Sequence, residues 1–239
     1  MQIMTPRPHT LSALALALLL GACAPLTLPQ KPETPAASGS VSSVNAGPAG
    51  EGDAIIPAST SGTVIAERIL PTGSMEIGAV DAPVSLVLFT NHFCAYCRDF
   101  HEELMPRLMT DYVTPGKVRI TVVPFLLQKY TESDPAALAF VCAATQGKGQ
   151  PMHDLLFRER MNSPAFRTAL AEIKMDQAQL QTCMESDGAR STVDALQSIA
   201  HSLDVRLVPA YFINGTKFTG LPEYADLRGQ IEEAMRAGE

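Results

Sequence analysis

Phe89 is the first aromatic residue in a chain of 239. Rings bury more surface than other side chains, so a packed body has to form late in this sequence. From Ala24 to about Thr60 the chain is mostly Pro, Gly, Ser, Thr and Ala with few charges. Such a stretch cannot bury enough apolar surface to offset its chain entropy, and it reads as a flexible tether. Hydrophobic residues make up 46% of the chain and charged ones 18%, enough for one real core behind that tether. The organisation expected is a leader at 1–22, a tether at 23–63 and a single domain at 64–239.

The leader carries Arg7 and then an apolar run from Leu11 to Leu20, which has signal-peptide length and is short for a bilayer span. Leu20-Gly21-Ala22-Cys23 follows and resembles a bacterial lipobox, in which Cys23 receives a diacylglycerol. The other reading is an ordinary cleaved signal with an incidental cysteine. With Ala24 rather than Asp behind Cys23, sorting rules favour the outer over the inner membrane. Export implies an oxidising compartment, and that changes how the five cysteines are read. The formal charge of −7 disfavours nucleic acid as a partner, since neutralising phosphates needs a basic face.

Within the domain, Val84 to Phe89 is a continuous apolar run of the kind found in a strand buried on both faces. A helix is expected after Cys94 to about Tyr112, bent or interrupted at Pro106. Val118 to Pro124 reads as a second buried strand. Ser133-Asp134-Pro135 starts a helix and Gly147-Lys148-Gly149 ends it. Further helical segments follow at about 150–161, 164–172, 176–186 and 188–203. Val208 to Ile213 is a third strand, Asn214-Gly215 a hairpin turn into Thr216-Lys217-Phe218, and Pro222 onward a closing helix. The class is α/β, with an all-helical insert at about 130–203.

Cys94-Ala95-Tyr96-Cys97 sits where the first strand meets its helix. Cys94 at a helix N-terminus has backbone N–H groups to stabilise a thiolate, and Cys97 one turn on can resolve a mixed disulfide. A metal half-site with His92 or His101, or a structural disulfide, are the other readings, but no second Cys-x-x-Cys completes a zinc set. Pro209 at the head of an apolar strand removes a ladder donor. A cis Val208–Pro209 bond would set the backbone of Val208 beside the cysteines as an edge for a substrate peptide, whereas a trans proline would only mark the first residue of the strand. His153 and His201 read as helix-surface or partly buried residues. Met105, Met109, Met152 and Met161 read as filler of core or groove. Phe93, Tyr96 and Leu126 are candidates for a substrate groove.

Asp81-Ala82-Pro83-Val84, the cysteine run with Arg98 to Glu102, Gln146-Gly147-Lys148 with His153 to Phe157, and Val208 to Gly215 resemble the DsbA-like thiol:disulfide oxidoreductases of bacterial envelopes. The resemblance spans Ile77 to Ala237 and implies a thioredoxin fold with a helical insert. It makes Cys94 the attacking cysteine, Cys97 the resolving one and Pro209 the cis proline. Two departures stand out. Leu88 occupies the place where the family often buries an acid, which leaves proton handling to water or to His92, and Ala95-Tyr96 replaces the Pro-His of strong oxidants. The resemblance implies exported cysteine-containing substrates. It also implies a membrane redox partner, DsbB-type for an oxidase and DsbD-type for a reductase or isomerase. A metallochaperone-like lipoprotein is the reading from another class. No cofactor or metal is expected, and a monomer is, since residues 61–80 are too few for a separate dimerisation domain. Cys142 and Cys183 remain, and in an oxidising compartment they are expected to form a structural disulfide across the insert. Two buried free thiols are the alternative.

Overall fold

The computed structural model describes residues 67–238; the leader, Cys23 and the tether lie outside the described residues. Two long strands carry the architecture, β3 (Val84–Thr90) and β4 (Val118–Pro124). They pair in parallel from Val84 opposite Val118 to Thr90 opposite Pro124. A parallel pair needs a crossover, and the helix α1 (95–113) supplies it. β5 (Ala210–Ile213) pairs antiparallel on the other side of β3, and β6 (Thr216–Thr219) pairs with β5. Asn214 and Gly215 link them with φ of 45° and 88°, the left-handed pair that a two-residue hairpin requires.

Two strands at the far edge were not anticipated: β1 (Glu67–Ile69) and β2 (Met75–Ile77), which give a six-stranded order β1-β2-β4-β3-β5-β6. At three residues each they are too short to show a period. Glu76 also breaks the apolar pattern of β2, since it is buried, bonded to Thr121 Oγ1 at 3.0 Å and ion-paired with Arg68 and Arg119.

Pro106 does not end α1. The helix widens to i→i+5 pairing over Phe100–Leu104, returns to α geometry at Met105–Leu108 and widens again over Met109–Val113. A wide turn ahead of the proline removes the demand for the N–H it lacks. Five helices form the insert: α2 (Ser133–Ala144), α3 (Gly149–Arg158), α4 (Pro164–Glu172), α5 (Gln177–Met184) and α6 (Asp187–Ser202). α2 is its axis, buried at ten positions including Phe140 and Cys142, and it shares one apolar core with the sheet. Gln197 of α6 fastens the insert to the end of β4, accepting from the amide of Leu126 at 2.8 Å and donating to the carbonyl of Pro124 at 2.9 Å. Glu67 does the same from the sheet edge, its carboxylate accepting from the first amides of α3, Gly149 at 2.7 Å and Gln150 at 3.1 Å. Gly149 has no room for a side chain there, since a Cβ would lie 2.6 Å from the Met75 sulfur. The closing helix α7 (Tyr224–Ala237) lies beside α1, where Tyr224 bonds Asp111 and stacks under the Arg107 guanidinium. Among the described residues, no helix is long and apolar enough to cross a membrane.

Candidate active site

β3 delivers the chain to the end of the sheet at Thr90, and Asn91 turns it into α1 (95–113). The Asn91 side chain donates to the carbonyl of Phe125 at 2.8 Å and accepts from the amide of Phe93 at 2.9 Å. Its own carbonyl accepts from the amide of Cys94 at 3.1 Å. A buried asparagine with these bonds fixes the turn, and the sequence reading did not single it out. Cys94 caps the helix with extended backbone angles, φ −86° and ψ 124°, so its sulfur faces the unpaired amides of the first turn. It is half-exposed, while Cys97 is buried at 1% exposure.

The two thiols are opposites. Cys94 is brought down to about 6, first by the hydrogen bond Cys97 gives it, against the cost of burial. The amides of Cys97 and Tyr96 and the charge of Lys129 add to the effect. The Cys97 thiol is pushed up, first by that same bond, which keeps its proton in place, and then by burial. The Thr90 hydroxyl and the Asn91 amide favour its anion and are outweighed. Sequence could not have found Lys129, because it lies in the loop after β4 and reaches Cys94 only through the fold.

The Val208–Pro209 peptide is cis, and the Val208 carbonyl accepts from Cys94 Sγ at 3.4 Å. Regular pairing of β5 (Ala210–Ile213) begins only after Pro209. Tyr96 is 64% exposed and Leu207, not foreseen, 68% exposed; these two apolar side chains flank the cysteines and Val208 in the chain. Phe93 and Leu126 are half-buried against the core, and Ala95 is exposed. Leu88 is buried beneath the turn, opposite Val122 and Tyr211, so the position often acidic in the family is apolar here.

His153 is not on a helix surface but 3% exposed, because α3 (149–158) turns that side toward α2 (133–144) along with Met152 and Leu156. His92 is equally buried, packed on Phe140 and Phe157, with Nε2 and Nδ1 of His153 3.0 Å apart. Burial pushes its pKa to about 3, with help from His101, and drives that of His153 down as well. The bond of His92 therefore goes to the insert and not to a thiol. His101 stacks on Phe157 and faces Asp154, away from any shared set with Cys97. His201 is exposed, as expected. Of the methionines, Met105 and Met152 are in the core, with Met109 and Met161 half-buried against it. Among the described residues, no three His, Cys, Asp or Glu side chains converge as metal ligands. Cys142 of α2 and Cys183 of α5 (177–184) are joined in a disulfide with their Cα atoms 5.8 Å apart.

A half-exposed low-pKa thiol, a buried high-pKa partner and a cis-proline edge on this sheet define the class of thiol:disulfide oxidoreductases. A family model described as thioredoxin matches residues 71–233, and the chain belongs to that family, in its DsbA-like form with a helical insert. Disulfide bond formation protein D of Bacillus subtilis is 20% identical over 177 residues, spanning 69% of this chain and 78% of that protein. The probable disulfide bond formation protein D of Bacillus anthracis is 24% identical over 171 residues, 67% and 78% of the two chains. Oxidised BdbD from Bacillus subtilis superposes with a TM-score of 0.62 at 18% identity, covering 72% of this chain and 98% of that one. Wolbachia pipientis α-DsbA1 gives 0.61 at 18%, covering 72% and 94%.

Proposed function

We propose that the protein is a dithiol oxidase, exported and held by a lipid on Cys23, that forms disulfides in exported proteins. The observation that carries this reading is the contrast between Cys94, at about 6, and Cys97, whose thiol keeps its proton. A substrate thiolate attacks the Cys94 sulfur of the oxidised pair, the new S–S bond joins substrate to Cys94, and Cys97 leaves as a thiolate that takes up a proton. A second substrate thiolate then attacks the substrate sulfur of that mixed disulfide. Cys94 departs as a thiolate, and a thiol of low pKa leaves readily. Stabilising that thiolate stabilises the reduced enzyme, which makes the pair oxidising. At pH 7 a thiol of pKa about 6 is about nine-tenths ionised.

Two electrons end on the pair, so turnover needs an acceptor, read here as a quinone-linked membrane partner of the DsbB type. The backbone at Val208 is the edge on which an extended substrate segment lies. Equilibration of Cys94–Cys97 with glutathione buffers tests the reading. A potential well above the thioredoxin value of about −270 mV is expected, and one at or below it would make the protein a reductase served by a DsbD-type partner. Glycerol labelling of the mature protein, lost in Cys23→Ser, tests the anchor.

A further inference from the structure

Beside the active-site turn the insert leaves a cleft of about 340 Å³. Phe93, the residue before Cys94, and Arg98, one turn after it, line it together with Arg158, Glu159 and Arg160 at the end of α3 (149–158). Tyr130 and Glu132 line it as well. Lys129 lays its ammonium 4.8 Å from the centre of the Tyr130 ring, and that ring meets Phe93 at 5.9 Å. Arg98, Lys129, Arg158 and Arg160 are all exposed, and none of them forms an ion pair among the described residues.

Three free cations, Arg98, Arg158 and Arg160, against two carboxylates therefore line a cleft next to the active-site turn, with Lys129 on the Tyr130 ring at its edge, in a chain whose formal charge is −7. Local and global fields have opposite signs here. Steering by the whole molecule would favour basic peptides, whereas a cleft of unpaired guanidinium groups favours carboxylates, which they bind in a fork geometry. The aromatic rings on its walls suit the apolar parts of a peptide better than a small hydrated anion.

We propose that this cleft docks an acidic segment of the client polypeptide next to the cysteine that exchanges with Cys94, with Arg158 and Arg160 setting that preference. The proposal rests on the thiol-exchange reading of Cys94 but not on its direction. The test uses the reduced protein and three one-cysteine peptides with acidic, neutral or basic flanks, each blocked as a mixed disulfide with thionitrobenzoate. The Cys94 thiolate attacks the peptide sulfur, the S–S bond to thionitrobenzoate breaks, and the coloured thiolate leaves. Cys97 then displaces the peptide thiol and closes the protein disulfide.

At low salt the acidic peptide is expected to react about three- to tenfold faster than the neutral one. The double variant Arg158→Gln/Arg160→Gln should remove that advantage while leaving the neutral peptide's rate and pH profile unchanged. Arg158→Lys/Arg160→Lys should restore most of it, and high salt should abolish it. Equal rates for the three peptides, a preference for the basic one, or an acidic advantage that survives the double glutamine variant would overturn the proposal. Because the reaction starts from reduced protein, a strongly reducing potential would refute the oxidase reading and leave this charge preference measurable.

Discussion

Replacing Cys97 with alanine removes the hydrogen bond that does most to hold the Cys94 thiol down near 6. A hydrogen bond to a charged acceptor contributes about 1.5–3 kcal/mol, or about one to two pKa units. The amides of Cys97 and Tyr96 and the charge of Lys129 stay in place. The midpoint of Cys94 ionisation should therefore move from about 6 to about 7–8, short of the free-thiol value of about 8.5. A rate at one pH would hide this change. A more basic thiolate is a better nucleophile, and with a Brønsted slope of about 0.4–0.5 the plateau rate rises about three- to tenfold as the thiolate population falls. The assay is the full pH profile of iodoacetamide alkylation on the reduced protein, with thiolate absorbance in parallel. Cys97→Ser keeps a hydroxyl donor and should shift the midpoint less than alanine does. A wild-type midpoint near that of a free thiol, or an alanine variant whose midpoint stays put, would refute the assignment.

Reduction should make stability depend on pH. Cys94 has a folded value of about 6 against an ordinary 9.0, so its contribution to the reduced form is complete above about pH 9 and lost as pH falls through 6. Urea midpoints of reduced and oxidised protein should converge as pH drops across that window, and parallel curves would contradict it. His92 and His153 are buried neutral, so the unfolded chain takes up protons that the native state refuses. Below about pH 6.5 stability should fall by up to about 1.4 kcal/mol per pH unit for each histidine, and His153→Leu should flatten the urea profile of the oxidised protein. If the variant keeps the wild-type slope, the histidines are not the acid-sensitive groups. Replacing both Cys142 and Cys183 with alanine opens a loop of sequence separation 41 and should cost roughly 4 kcal/mol in the chain-entropy account. Equal urea stability of variant and parent would argue against a formed bridge. Lys129→Met should raise the Cys94 midpoint by less than Cys97→Ala does, because its charge is the smallest of the causes that hold it down.

Much of the fold was legible because the signals were local and repeated. The runs at Val84–Thr90 and Val118–Pro124 are dominated by apolar residues and largely buried, as a covered central pair requires. Gly147 with φ of 65° and the Asn214-Gly215 turn mark ends of elements by backbone chemistry alone. The edge strands escaped notice because three residues hold no period, and because Glu76 is paid for by Arg68 and Arg119 from other strands. His153 was misplaced for a related reason. One polar residue on a helix has no visible side until its neighbours are known, and here they are His92 and two phenylalanines.

The sequence by itself determined the chemistry of the site: two cysteines spaced to open a helix behind a buried strand, and a proline at the head of a later one. Those features are carried by residues close in the chain, where spacing fixes geometry. The tertiary structure alone decided how the site is tuned. Val208 meets the Cys94 sulfur across 114 residues, Lys129 adds its charge from a loop after β4, and His92 is drawn away toward His153. Electrostatic energy depends on distance through space and on burial, and neither can be read from position in the chain.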